Sequence, residues 1–261
     1  TTFCSLLLAG YGCSSPQAND AVQDLTQYVD PYIGSGGHGH VFVGANVPYG
    51  LVQLGPSSIP QEWDWTSGYH ISDSTVIGFP HMHLSGTGIG DLHDITLMPV
   101  VGEVTYARGV ESDQNSGLWS YSDRSKEVVK PGYYATHLLR YNVDVELTAT
   151  KRVGFHKYTF NQKENAAVVF DLQNGGCWDS PTKAYINKVD DKTIEGYRYS
   201  SGWANDQRVF FIAEFSEPIT SLDVIVDRGE AVADKGEGKI VYARANVDAQ
   251  KPVYVKVALS P

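Results

Sequence analysis

Six of the eight histidines fall between Tyr28 and Asp94: His38, His40, His70, His81, His83 and His93. Four of them form two His-x-His pairs, His38-Gly39-His40 and His81-Met82-His83. On a strand this spacing puts both imidazoles on one face, near enough to share a metal ion, and two pairs can supply four ligands or three with an open position. The other reading is bonding to loop backbone or to the hydroxyls of a ligand. Glycines crowd both pairs and favour tight loops over a rigid ligand strand. Hydroxyl or backbone bonding is therefore the expectation, and no metal site is assigned.

The stretch Glu62-Trp63-Asp64-Trp65-Thr66-Ser67-Gly68-Tyr69-His70 points to sugar chemistry. Aromatic faces stack on the C–H surfaces of a sugar, while carboxylates, amides and imidazoles take its hydroxyls. Strand-like alternation places Trp63 and Trp65 on one face, either in a ligand site or in the core. A glycosidase also needs two carboxylates, one protonated and one ionised. Glu62, Asp64, Asp73, Asp91 and Asp94 are available in this region, but spacing does not pair them. Two other chemistries are disfavoured. Gly86-Thr87-Gly88-Ile89-Gly90 has no Gly-Lys-Ser/Thr and leads into a strand-like run that ends at a proline, so it is not a nucleotide loop. There is no Gly-x-Ser-x-Gly nucleophile elbow.

The elements that must position these residues read as strands. From residue 94 onward the pattern is period-2 alternation broken by turn residues, as in Val143-Asp144-Val145-Glu146-Leu147 and Val253-Tyr254-Val255-Lys256-Val257. Eleven strands are expected: 95–101, 133–139, 143–150, 153–160, 166–172, 184–189, 193–199, 208–215, 221–226, 240–245 and 253–259. Turns are expected at 190–192, 227–229 and 235–238. No helical period persists beyond about ten residues. The fold class is all-β, a large two-sheet antiparallel β-sandwich preceded by a long loop-rich N-terminal segment where a binding surface belongs.

Composition agrees. The 261 residues are 42% hydrophobic, enough for a core, with 26 Gly, 16 Tyr and 5 Trp. Thirty acidic and 20 basic side chains give a net charge of −10, which disfavours nucleic acid as a partner. Residues 3–9 form a short apolar run, followed by Gly10-Tyr11-Gly12-Cys13 and a polar stretch. This resembles the tail of a bacterial lipoprotein signal, with Cys13 the lipidated residue. The run is too short to span a bilayer, so membrane contact is expected only through a lipid anchor. The domain reading is a signal remnant over 1–13, a polar linker over 14–27 and the sandwich over 28–261, with Cys177 a lone thiol in the body. The expected location is periplasmic or cell-surface. The sequence starts at Thr1 without Met and stops at Pro261 just after a strand-like run, and is read as a fragment truncated at both ends.

From Tyr28 to Gly88 the ordered motifs resemble the N-terminal domain of glycoside hydrolase family 92, the bacterial exo-α-mannosidases. They are Tyr28-Val29-Asp30-Pro31-Tyr32-Ile33-Gly34-Ser35-Gly36-Gly37-His38-Gly39-His40, Gly44-Ala45-Asn46-Val47-Pro48-Tyr49-Gly50, Trp63-Asp64-Trp65-Thr66-Ser67-Gly68-Tyr69-His70 and Gly78-Phe79-Pro80-His81-Met82-His83-Leu84-Ser85-Gly86-Thr87-Gly88. Pro80 departs from the family's more usual small polar residue. The resemblance implies a β-sandwich followed by an (α/α)6 domain that carries the catalytic carboxylates, so no catalytic residue is expected in this chain. It implies inversion of configuration, a likeness to the α-1,2-mannosidases, and Ca2+ held mainly by the absent domain. It also implies a mannose-containing glycan as substrate. A tryptophan lining the cleft maps onto Trp65 or Trp63, with Trp65 favoured. Asp64, His81, His83, Ser85 and Gly86 map to the cleft-facing edge.

Two rival readings belong to other classes. A free-standing carbohydrate-binding module would have a stop codon directly after Pro261. A histidine-metal enzyme on a β scaffold would carry stoichiometric zinc.

Overall fold

The computed structural model describes residues 23–173 and 178–261. The signal remnant over 1–13, with Cys4 and the lipidation candidate Cys13, lies outside the described residues, as do Cys177 and residues 14–22 of the linker. The end of the linker is a 3-10 turn, Leu25–Tyr28, capped by the Asp24 carboxylate, which accepts from the Thr26 amide at 3.0 Å. Among the described residues no helix is long and apolar enough to cross a membrane.

Two antiparallel sheets face each other. The larger has nine strands in the order Lys235–Gly238, Ser180–Lys188, Thr193–Ser201, Gln207–Phe215, Val253–Ser260, Val153–Phe160, Val143–Ala149, Tyr133–Leu138 and Val128–Lys130. The smaller has five: Ala231–Ala233, Ile219–Val226, Val241–Val247, Ala166–Asp171 and Thr96–Val101. Alternation does the sorting. Along Gln207–Phe215, Val209, Phe211, Ala213 and Phe215 turn inward, while Arg208, Phe210, Ile212 and Glu214 face out. Phe170 of the small sheet closes the core against Phe211 and Phe215, with ring centroids 5.8 and 6.2 Å apart.

All eleven expected strands are present. Most ends agree within two residues, but Ser180–Lys188 starts well before Ala184, because a register shift between Pro181 and Lys183 breaks the alternation there. One expected turn is corrected. Lys235–Gly238 is an edge strand, paired with 184–187. Its glycines are not turn formers: a Cβ on Gly236 would lie 2.7 Å from Val224, and one on Gly238 2.4 Å from Val226, so they let the two sheets approach closely.

The N-terminal segment has little regular structure of its own and is fastened to the sandwich at several points. The Leu51 amide donates to the Lys151 carbonyl at 2.8 Å, Phe79 forms a bridge with Leu97, and the His81 amide donates to the Asp94 carbonyl at 3.0 Å. The segment thereby continues the small sheet past Thr96–Val101. It lies across the ends of Ser180–Lys188, Thr193–Ser201 and Gln207–Phe215, where Asp91 and Asp94 meet Trp203, Arg198 and Gln207.

Candidate functional site, an aromatic rim at one end of the sandwich

The loop Ser85–Asp91 organises this end of the molecule. The Gly86 amide donates to the His40 carbonyl at 2.6 Å, and the Ser85 hydroxyl accepts from the Phe42 amide at 3.2 Å. Three tryptophans from three separate segments then attach to it. The Trp63 indole donates to the Gly88 carbonyl at 2.9 Å, the Trp178 amide to the Gly90 carbonyl at 2.9 Å, and the Trp203 amide to the Asp91 carboxylate at 2.6 Å. All three side chains remain largely in solvent, at 54%, 54% and 66% exposure. Gly88 is required here. Its φ is +63°, and a Cβ would lie 2.8 Å from the Trp63 ring. Trp63, Trp178, Arg108 and Glu62 line an open cleft of about 390 Å³. Large exposed aromatic surface held by fixed backbone bonds marks a place where a ligand or partner covers it.

The Trp-Asp-Trp stretch is a 3-10 turn, Trp63–Trp65, and not a strand. The Trp65 amide donates to the Glu62 carbonyl at 3.0 Å and the Thr66 amide to the Trp63 carbonyl at 3.2 Å. At three residues per turn, positions 63 and 65 diverge, so the two indoles do not share a face. Trp63 faces the cleft. Trp65 sits behind it, half-buried and stacked on His70 at 4.4 Å, with its indole donating to Asp73 at 2.7 Å. The geometry thus favours Trp63 over Trp65 as the ligand-facing ring. Asp64 lies between His38 (Nδ1 to Oδ1, 2.6 Å) and His40 (Nε2 to Oδ1, 3.3 Å, out of line for a hydrogen bond). The hydrogen bond from His38, reinforced by His40, holds Asp64 below the usual carboxylate range and therefore ionised. The Trp63 ring rests edge-on against His40 at 4.2 Å.

The second histidine pair has a different fate. His81 and His83, expected on the cleft edge, are corrected to the interior, at 0% and 3% exposure. The bridge between Phe79 and Leu97 turns this stretch into the sandwich, and Gly154 leaves room for the His81 ring. His81 Nδ1 lies 2.5 Å from the Ile95 carbonyl, and its Nε2 lies 2.9 Å from His156 Nε2. His156 Nδ1 lies 2.7 Å from the Tyr158 hydroxyl. One proton arrangement satisfies all of these: His81 donates to Ile95 and accepts from His156, which accepts from Tyr158. His83 bonds the Gln53 carbonyl at 2.8 Å and packs between the rings of Phe42 and His93. Burial pushes His81 and His83 down to about 4, and His93 and His156 well below the ordinary value, so all four are neutral. Ser85 and Gly86 are exposed.

Beneath the rim lies a buried charge cluster of which the sequence pointed only to Asp94. Arg198 is fully buried, with Nη1 2.6 Å from Asp94 and Nη2 2.5 Å from Asp179. Gln207 donates to the other Asp94 oxygen at 2.5 Å. Burial raises the Asp94 carboxyl and pushes Asp179 up to about 6, with Arg198 opposing both. One signal was available: Arg198 occupies an inward position of an alternating strand, between outward Tyr197 and Tyr199. Trp178, Trp203 and Arg108 carried no local signal, since only the fold brings them to the rim.

Among the described residues no three His, Cys, Asp or Glu side chains are placed to hold a metal ion. Calcium takes six to eight oxygens. Here Asp94 and Asp179 face a guanidinium, and Asp91 accepts from the Leu92 and Trp203 amides. These residues do not fit a calcium ion.

A two-sheet sandwich with an open rim of aromatic rings, imidazoles and a carboxylate is the build of a carbohydrate-handling domain. The chain belongs to glycosyl hydrolase family 92: residues 28–260 match the family's N-terminal domain. It is similar to a family GH92 alpha-mannosidase from Bacteroides thetaiotaomicron solved in complex with mannoimidazole, at 33% identity and a TM-score of 0.86, covering 91% of this chain and 32% of that one. A family GH92 inverting mannosidase from Bacteroides thetaiotaomicron VPI-5482 shares the fold, with a TM-score of 0.71 at 21% identity over 90% of this chain and 31% of that one. An uncharacterized secreted glycosidase of Arthroderma benhamiae (strain ATCC MYA-4681 / CBS 112371) is 28% identical over 144 residues, which is 52% of this chain and 17% of that protein. The chain therefore spans about a third of the solved relatives' length and 17% of the curated one's.

Proposed function

We propose that this chain forms one wall of the sugar-binding cleft of an exported exo-α-mannosidase that inverts configuration and removes terminal mannose, α-1,2-linked in the first instance, from glycans or mannans. The observation that carries this reading is Trp63, an exposed indole pinned by the Gly88 carbonyl and braced by His40 at the mouth of an open cleft. Its ring offers an apolar face to a sugar, while Asp64 with its two histidines presents acceptors and donors for hydroxyls. Ser85 and Gly86 stand on the loop whose Gly88 carbonyl pins Trp63.

The reacting carboxylates belong, in this reading, to a helical domain that follows the chain. A general acid must hold its proton, and His38 and His40 keep Asp64 ionised. Asp91, Asp94 and Asp179 are occupied beneath the rim. The calcium that the family resemblance implies is assigned to ligands outside the described residues. Export rests on the signal-like residues 3–13, with Cys13 as the lipid anchor.

The test is kinetic. In the full-length enzyme acting on an α-1,2-mannobioside, Trp63→Ala is expected to raise KM about tenfold, the scale of one lost aromatic contact with a sugar. Trp65→Phe changes it far less. The isolated chain releases no mannose. Mannose release by the isolated chain, or an unchanged KM in Trp63→Ala, overturns the reading.

A further inference from the structure

Trp178 lines the same cleft as Trp63 and is itself half in solvent, so its placement depends on how its backbone is held. Its amide donates to the Gly90 carbonyl, two residues along the loop from the carbonyl that pins Trp63. The other support is Arg198. This side chain leaves the strand Thr193–Ser201 on its inward face and reaches Asp179, the neighbour of Trp178. Its Nε donates to the Leu172 carbonyl at 2.9 Å and its Nη2 to the Gln173 carbonyl at 3.5 Å. The same Nη2 meets the Asp179 carboxylate at 2.5 Å. Asp94, held by Gln207, takes the remaining nitrogen at 2.6 Å.

Asp179 is the informative member. Its side chain is fully buried against the Arg198 guanidinium, yet among the described residues neither carboxylate oxygen finds an aligned hydrogen-bond donor. A buried carboxylate without aligned donors is costly, and a position serving stability alone is better filled by a neutral or apolar side chain.

We infer that Arg198 and Asp179 are positioning residues for the sugar site, a clamp that ties Asp179, the neighbour of Trp178, to Leu172 and Gln173 and so fixes the Trp178 indole in the cleft it lines with Trp63. This rests on the reading of the rim as a sugar site. Arg198 suits the task because a guanidinium can donate in several in-plane directions at once, which a lysine ammonium cannot reproduce.

The clamp is pH-dependent. Asp179, pushed up to about 6 by burial, is ionised at neutral pH and takes a proton below that value. The groups facing it are Arg198, which favours the charged form, and Asp94 and Asp91, which oppose it. His93, also near Arg198, is neutral through burial and adds no charge. Because the folded value lies above the ordinary carboxylate value, ionisation of Asp179 lowers stability as pH rises through about 6. An uncharged amide at this position escapes that loss.

The experiment uses the full-length enzyme with Asp179→Asn, Arg198→Lys and Trp178→Ala, an α-1,2-mannobioside as substrate, and hydrogen exchange of the Trp178 amide. Near neutral pH, Asp179→Asn is expected to unfold at the same temperature as the parent or higher, yet to raise KM about threefold or more with kcat little changed and to speed exchange of the Trp178 amide. Trp178→Ala raises KM at least as much. Towards pH 5 the parent's KM approaches that of Asp179→Asn, because both then lack the charge. Arg198→Lys shows the same split between KM and kcat. Unchanged amide exchange and KM in Asp179→Asn, with Trp178→Ala still impaired, overturns the clamp and leaves the sugar site standing. Unchanged KM in both Trp63→Ala and Trp178→Ala removes the sugar site, and amide exchange alone then decides the clamp.

Discussion

His38-Gly39-His40 and His81-Met82-His83 have the same spacing and nothing else in common. The first pair sits at a 3-10 turn, Gly37–Gly39, followed by His40 in the left-handed region at φ +53°. It converges on Asp64, with His38 78% exposed. The second pair runs into the sandwich, where each ring is neutral and spoken for by backbone or by another histidine. Identical spacing therefore yields a solvent-facing charged site in one place and core packing in the other. What separates them is the backbone on either side: a run of glycines before His38, and a sheet bridge beside His81.

The largest expected effect lies at the buried pair. A Cβ on Gly154 would approach His81 Cδ2 to 2.5 Å and Nε2 to 2.8 Å, with no room to yield. Gly154→Ala should cost about 3 kcal/mol of stability, measured by urea unfolding, as overpacking of a closed core does.

Acid sharpens the contrast further. His81 and His83 have folded values of about 4 against an ordinary 6.5, so the unfolded chain takes up protons first. Their contribution is complete above about pH 6.5 and is lost as pH falls towards 4, at up to about 1.4 kcal/mol per histidine for each pH unit. Urea titrations at a series of pH values should show this slope, and His83→Gln should reduce it.

Gly88→Ala separates stability from binding. The strained φ costs about 1 kcal/mol, whereas the displaced Trp63 should raise KM several-fold in the full-length enzyme, on the order of the loss in Trp63→Ala. His38→Ala is expected to do least. The unfolding midpoint stays where it was, and KM shifts by no more than about twofold, because an exposed donor to Asp64 is replaced by water.

The sheets were legible because alternation is a backbone property that survives without context, and Gln207–Phe215 or Val253–Ser260 can be read directly from it. Three of the four edge strands of the two sheets were not. Lys235–Gly238 has the composition of a turn and becomes a strand only because a neighbour pairs with it. At the rim, residue chemistry pointed to Trp63, Asp64 and Trp65 and the family resemblance added Ser85 and Gly86, but the facing of the tryptophans depended on whether residues 63–65 form a strand or a tight turn. That choice is made by the backbone bonds to the Glu62 and Trp63 carbonyls and by the Trp63 indole's bond to the distant Gly88 carbonyl. Arg198 shows the reverse: a charge at an inward register carries its own warning.

The nine-stranded sheet has one more consequence. A sheet this wide could keep growing at both borders, recruiting strands from other molecules. Its outermost members are only three and four residues long, Val128–Lys130 and Lys235–Gly238, and they place Lys130, Lys235 and Glu237 where an intruding strand would have to lie. The borders are stunted and charged, so a crowded solution of this protein is guarded against stacking into fibres.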